Sequence, residues 1–313
     1  MNSSGFLRSR RATQHTEWLN NNTGFFYTIK RRLQFGATKY QTLELVDTNE
    51  FGRVLILDGI TQAAQKGECY YHEPMVHPAM CTHPCPRRVL VIGAGDGGII
   101  REVLKYPCVK SVDLAELDEG VIAFSRKYLP SVHQGAFDDP RVRIHITDGR
   151  EFVEKNPSSF DMVIMDMTDP FGPAKYLYTK DFFLLVKKSF TDRRGVFAMH
   201  TESPVARPRT FACIQSTLRS VFRHVRPLYS YIHMYATLWS ITVSSDVSDM
   251  TAVSRARVDR KLLRYGIKDL RFYTGRIHES SQASWPVLEE LLEKPARILT
   301  DRRPDIPDEI AHE

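Results

Sequence analysis

At 313 residues the chain can form one large domain or two unequal ones, and its 42% hydrophobic and 26% charged content is that of an ordinary globular protein. The net charge of +6 is carried partly by scattered basic pairs (Arg31-Arg32, Arg193-Arg194, Arg302-Arg303) rather than by a stripe interleaved with aromatic platforms, which argues against nucleic-acid binding. No apolar run reaches about 18 residues, so no transmembrane helix or membrane partner is expected.

Residues 1–22 hold Arg8, Arg10 and Arg11 but no apolar core, and read as a mobile tail rather than a signal peptide. Residues 23–70 read as a small antiparallel β domain. Phe25–Ile29 is apolar, Tyr40–Val46 alternates with the period of a half-buried strand, Asn49-Glu-Phe-Gly52 is a turn, and Arg53–Gly59 resumes as a strand. A catalytic domain is expected over 71–293. It opens with a helix over 71–83, followed by the apolar strand Val89–Ile92 and the turn Gly93-Ala-Gly-Asp-Gly-Gly98. Strands and helices then alternate, with helices at Gly98–Lys105, Glu119–Tyr128 and Lys180–Ser189, as in a doubly wound parallel sheet. A helix over 207–222 leads to a hairpin, Tyr229–Met234 and Leu238–Ser244, that closes the sheet with an antiparallel strand. Residues 249–313 read as mostly helical and polar. Within them 294–313 is assigned to a polar tail whose last ten or so residues are expected to lack structure. The fold class is therefore α/β, Rossmann-like, with a small N-terminal antiparallel β domain.

The glycines at 93, 95 and 98 fit the G-x-G-x-x-G turn that opens a nucleotide-binding βαβ unit. In a dinucleotide site this turn cradles a pyrophosphate. Asp96 in its middle would repel one, so the ligand near this loop should be cationic. Acids recur where the later strands end: Glu116 lies about 20 residues beyond the glycines, where a ribose-binding acid is expected. Asp148 ends the next run, Asp166 and Asp169 the next, and Glu202 the last. Ligands of open α/β sheets bind at the carboxyl ends of the strands, so these six acids predict a pocket for a polycation in an otherwise basic protein.

Metal chemistry is not expected. Cys81-Thr-His-Pro-Cys85 lacks a second Cys or His pair at zinc spacing. His72 and His77 are five apart, which on a helix points them about 140° from each other. Five cysteines, an odd number, point to reduced thiols in a cytoplasmic protein.

Several segments, in order, closely resemble the polyamine aminopropyltransferase (spermidine synthase) family. They are Ala37-Thr-Lys-Tyr-Gln41, Leu55-Ile-Leu-Asp-Gly-Ile-Thr-Gln62, Glu68-Cys-Tyr-Tyr-His-Glu73 with Val76-His-Pro78, and the glycine turn with Arg101-Glu102. Asp166-Met-Thr-Asp-Pro-Phe-Gly-Pro-Ala174 and Leu270-Arg-Phe-Tyr273 with Ile277-His278 complete the set. Each is modest alone; together they span about residues 24–293.

The resemblance implies transfer of an aminopropyl group from decarboxylated S-adenosylmethionine, a co-substrate rather than a bound cofactor, to an amine. On the donor side it implies Gly93 and Gly95 in the turn, Asp96 pairing with the donor ammonium, Glu116 with the ribose hydroxyls and Asp148 beside Gly149 with the adenine amino group. Gln41 and His72 would add further donor contacts. On the acceptor side it implies Asp166 as general base, Asp169 holding the amine, and Tyr71 and Tyr235 orienting it, with Glu202 a candidate for the distal end. Relatives commonly assemble as homodimers or homotetramers through their N-terminal sheets. The chain departs from the family in its acceptor loop, Met234-Tyr-Ala-Thr-Leu-Trp239, which lacks a usual proline and glycine, and in Met167 and Ala94. These departures bear on which amine is used. Putrescine is the first expectation, with cadaverine or a spermine-type acceptor as alternatives. A methyltransferase on the same fold, an NAD-dependent dehydrogenase and a non-catalytic polyamine-binding protein are the competing readings.

Overall fold

The computed structural model describes residues 13–168, 170 and 172–307. An N-terminal ribbon pairs β1 (Thr13–Trp18) with β2 (Gly24–Ile29), and a separate four-stranded antiparallel sheet follows from β3 (Arg31–Ala37), β4 (Thr42–Thr48), β5 (Gly52–Leu57) and β6 (Ile60–Ala64). Then come α1 (Cys69–Thr82), β7 (Arg88–Gly93), α2 (Gly98–Leu104), β8 (Ser111–Glu116), α3 (Glu119–Tyr128), the single turn α4 (Pro130–His133), β9 (Val142–Ile146), α5 (Gly149–Lys155) and β10 (Met162–Asp166). A 3₁₀ segment, Gly172–Tyr178, leads to α6 (Lys180–Ser189), β11 (Val196–His200), α7 (Pro208–Arg219), β12 (His224–Ile232) and β13 (Thr237–Ser245). The short helices α8 (Arg255–Arg264), α9 (Gly275–Ser280) and α10 (Pro286–Glu293) complete the fold.

The main sheet has seven strands in the order β12-β13-β11-β10-β7-β8-β9, parallel from β11 to β9, with β13 running antiparallel between β11 and β12. Its central strands are apolar throughout because both faces are covered. Val89 and Val91 enter the core shared with α1 and α2, whereas Leu90 and Ile92 enter the opposite core, lined by Phe182, Phe183 and Ile214 of α6 and α7. The chain leaves β7 for β8 on one side, and β10 flanks it on the other. The glycine turn thus sits at the point where strand order reverses, which is where open α/β sheets hold ligands.

Three features differ from the sequence expectation. Phe25–Ile29 does not join the small sheet; it pairs with Thr13–Trp18, which lies within the segment read as a mobile tail. The polar alternation of Thr-Gln-His-Thr-Glu-Trp carries little strand signal by itself, and the pairing with β2 supplies its order. β3 and β6 extend the small sheet beyond the sequence expectation: Arg31–Ala37 is polar and mostly exposed, and Ile60–Ala64 is short. Residues 294–307 form no helix, yet they are seated rather than loose, with Leu299 and Ile306 buried in the core on the α6 and α7 side. The last residues, 308–313, and the tail's first twelve lie outside the described residues.

Candidate active site

A cavity of about 1170 Å³ opens at the carboxyl ends of β7, β8, β10 and β11. Gly93, Gly95, Asp96, Glu116, Asp148 and Gly149 all line it, as do Gln41, Tyr71, Asp166, Tyr235 and Glu202. Asp169 lies outside the described residues.

The glycine turn is built by close approach. Gly93 has φ +75°, and a Cβ there would meet the Asp166 carbonyl oxygen at 2.1 Å; a Cβ on Gly98 would strike the His72 ring. Asp96 caps the turn, its Oδ1 accepting from the Gly98 N–H at 2.7 Å, while His72 Nε2 lies 3.1 Å from its other oxygen. His72 Nδ1 is 2.7 Å from Glu68, and Arg101 donates to the same Glu68 oxygen at 2.8 Å. Burial would push His72 down, but the Asp96 and Glu68 carboxylates win and raise it to about 10, so it is an imidazolium. Burial likewise opposes ionisation of Asp96, yet the His72 cation and the Gly98 hydrogen bond hold its carboxyl below the ordinary value. Asp96 is thus a fixed anion.

His72 meets the cavity only through Asp96. It does not line the cavity, and both ring nitrogens face carboxylates. Neighbouring residues on a helix point about 100° apart. Tyr71 therefore faces the cavity while His72 passes beneath the glycine turn.

Tyr71 donates to Asp166 Oδ1 at 2.5 Å. Burial and the like charge of Asp96 push Asp166 up to about 6, against the smaller opposing effects of the Tyr71 hydrogen bond and the His72 cation. A carboxylate so poised accepts a proton near neutral pH far more readily than an ordinary aspartate. Tyr235 packs edge-on to Tyr71 at 5.8 Å and against Trp239 at 5.3 Å, and its hydroxyl donates to the Gln62 carbonyl at 2.9 Å. These rings give the Asp166 side of the cavity an apolar wall.

At the other side, Glu116 accepts from the Asp118 N–H at 2.9 Å and is pushed to about 7, mainly by burial. Gln41 donates to Asp118 at 2.9 Å, and Thr38 does so at 2.7 Å, bringing the small sheet onto the cavity rim. Asp148 caps α5, accepting from Glu151 N–H at 3.0 Å, and Gly149 packs where a Cβ would touch Ile92.

Glu202 is fully buried, in a left-handed conformation with φ +69°, and Arg207 Nη1 lies 3.2 Å from each of its carboxylate oxygens. Arg207 also donates to the Leu19 carbonyl at 2.9 Å, joining the β1–β2 ribbon to this end of the cavity. Asp118, Gln62, Trp18 and Arg207 line the cavity without having been singled out as site residues. Gln62 stands inside a motif already noted and Asp118 lies two residues beyond Glu116, whereas Trp18 and Arg207 carry no local signal. Among the described residues no three His, Cys, Asp or Glu side chains gather as a metal site, and no two of the five cysteines form a disulfide. His77 instead contacts Tyr106 and Glu102, each at 2.8 Å.

Comparison with known proteins gives this arrangement its context. A spermine/spermidine synthase domain model matches residues 68–254, and a spermidine synthase tetramerisation domain model matches 13–65. The chain belongs to the spermine/spermidine synthase family. Family members of similar sequence include the polyamine aminopropyltransferase of Nitrosomonas europaea, 40% identical over 278 residues, covering 89% of this chain and 85% of that one. Polyamine aminopropyltransferase 2 of Hyperthermus butylicus is 37% identical over 290 residues, covering 92% and 95%. A spermidine synthase solved with the transition-state analogue AdoDATO superposes with a TM-score of 0.84 at 33% identity, covering 90% of this chain and 96% of that one. The spermidine synthase of Thermotoga maritima gives 0.83 at 34% identity, covering 90% and 95%. The protein is thus an aminopropyltransferase of polyamine biosynthesis on a Rossmann-like fold. Among the described residues no helix is long and apolar enough to cross a membrane.

Proposed function

We propose that this aminopropyltransferase uses decarboxylated S-adenosylmethionine as donor and putrescine as acceptor, releasing spermidine and methylthioadenosine. The observation that carries the reading is the pair of carboxylates at the end of β7 and β10. Asp96 is held ionised by His72, and Asp166 beside it is raised to about 6. A fixed anion in the glycine turn suits the donor's ammonium and repels the carboxylate that intact S-adenosylmethionine would bring there. Glu116 would take the ribose hydroxyls, with Gln41 bracing that side through Asp118, and Asp148 with Gly149 would meet the adenine.

The acceptor arrives protonated, with a pKa near 10.4 like that of lysine, so a neutral amine at pH 7.5 costs about 4 kcal/mol. Asp166 would take its proton while Tyr71 fixes the carboxylate, and the freed lone pair attacks the methylene beside sulfur. The carbon–nitrogen bond forms as the carbon–sulfur bond breaks, and the sulfonium leaves as a neutral thioether. Alignment supplies much of the rate, because the leaving group is already activated. Asp169 and Tyr235 would help hold the attacking nitrogen, and Trp239 and Tyr71 suit the methylenes.

A compact diamine fits best. Glu202 is the acid at the far end, but it shares its charge with Arg207, and a cation there counts against a long polycation. Competition among putrescine, cadaverine and spermidine tests this. Preference for spermidine by about tenfold or more in kcat/KM would refute the compact-diamine reading and favour a spermine-type enzyme. We also propose a cytoplasmic homodimer or homotetramer. Assembly would run through the N-terminal strands, where Phe26 and Phe35 are exposed and the tetramerisation-domain model matches. The parts of the chain would then be a tail, an N-terminal β domain and a catalytic domain from about residue 71, bounded as the sequence reading has them apart from β1.

A further inference from the structure

One wall of the cavity is the 3₁₀ segment Gly172–Tyr178, which presents Gly172, Pro173, Ala174, Tyr176 and Leu177. Its anchors come from far away in the chain. Arg150, two residues beyond Asp148, donates to the Tyr176 carbonyl at 3.1 Å. The same guanidinium grips Asp301 with two nitrogens, at 3.0 and 2.5 Å. Asp301 also accepts from the Thr179 hydroxyl at 2.7 Å, immediately after the segment, and its backbone N–H donates to Asp181 at 2.8 Å. Lys175, within the segment, pairs with Asp305 at 2.6 Å. The chain that brings Asp301 here is itself seated. Leu299 is fully buried, its N–H donates to Thr217 Oγ1 at 2.9 Å, and its carbonyl accepts from the Lys180 N–H at 2.8 Å.

Arg150 and Asp301 both line the cavity. An Arg150 without this carboxylate would set a cation at the rim of a pocket whose donor carries two positive charges. A two-point guanidinium–carboxylate grip also fixes direction as well as charge. It ties the first turn of α5, which starts at Gly149 and is capped by Asp148, to the segment that walls the same end.

We infer that Asp301 is a positioning residue for the donor: through Arg150 it holds the 172–178 wall against the adenosine half of the cavity and cancels the guanidinium charge there. The inference rests on the donor reading above. Neither Arg150 nor Asp301 takes part in the chemistry; both act by shaping the subsite.

The test compares the wild type with Asp301→Ala and Asp301→Glu, measuring donor KM, acceptor KM at saturating donor, methylthioadenosine binding by calorimetry, and amide exchange over 172–178. Asp301→Ala should raise donor KM by about fivefold or more, the scale of one lost ordinary hydrogen bond. It should weaken methylthioadenosine by a similar factor and speed exchange across the wall. Acceptor KM should stay within about twofold, since no acceptor contact is removed. Asp301→Glu should recover most of the loss. A lower melting temperature with both KM values unchanged would show that Asp301 only staples the chain end to the fold, and an equal rise in both would show general loosening; either overturns the inference. Should the alanine variant fail to fold, Asp301→Asn, nearly isosteric, removes the charge, and an unchanged donor KM in it is equally contrary. If the unaltered protein does not turn over the decarboxylated donor, the donor reading falls and this inference with it.

Discussion

Asp166→Asn separates the general-base role from mere packing, because it should make the enzyme worse and the free protein more stable. In the fold the Asp166 carboxyl rises from an ordinary 3.8 to about 6, driven first by burial and then by Asp96. At 1.36 kcal/mol per tenfold change in proton affinity, the ionised side chain costs the folded state about 3 kcal/mol. The sign follows from the raised value. The folded state binds the proton more tightly, so this contribution favours folding at low pH and is lost as pH rises from about 4 through about 6. Asparagine keeps the shape and an oxygen for the Tyr71 hydroxyl but never ionises. The variant should therefore melt higher than wild type at pH 8, by up to about 3 kcal/mol of stability, with the gain shrinking towards pH 4. Its kcat should fall by about 10²-fold or more, the scale of a lost general base, with donor binding little changed. Thermal unfolding at several pH values and steady-state rates on the same samples test both arms. Activity within about threefold of wild type, or a lower melting temperature at pH 8, would refute the reasoning.

Three further outcomes are expected. His72, raised to about 10, contributes stability that is complete below pH 6.5 and is lost as pH climbs through 10; His72→Gln should flatten that part of the stability–pH curve and weaken donor binding, as urea melts and calorimetry would show. Wild type should prefer the decarboxylated donor to S-adenosylmethionine by at least about 2 kcal/mol, the scale of an unpaired buried charge. Asp96→Asn should narrow that gap, whereas equal wild-type affinities would contradict the role given to Asp96. Glu202→Gln should raise diamine KM more than it lowers kcat, and should also lower stability by about 1–3 kcal/mol because Arg207 loses a buried anionic partner; an unchanged KM would remove Glu202 from the acceptor end.

The catalytic half of the fold was legible because its signals are local. Val89–Ile92, the glycine turn and acids closing successive apolar runs each announce a strand end, and parallel topology then gathers those ends on one edge. What stayed hidden depends on direction or on distance. Tyr71 and His72 are adjacent in sequence, but only the helix turn decides that one faces the cavity and the other faces Asp96 from behind. Glu202 was recognisable as an acid at a strand end, whereas its partner Arg207 became visible only in three dimensions. Arg150 and Asp301 are 151 positions apart, and no spacing rule connects them. In the N-terminal region β1 and β3 carry polar patterns whose order comes from pairing rather than from propensity, which is why a strand hid in what read as a tail.

The most direct test of the account is to incubate the protein with decarboxylated S-adenosylmethionine and putrescine and identify both products by mass. The account predicts spermidine and methylthioadenosine in equal amounts, with no reaction when intact S-adenosylmethionine replaces the donor. Transfer of a methyl group from S-adenosylmethionine, or no aminopropyl product from putrescine or any other amine, would contradict it.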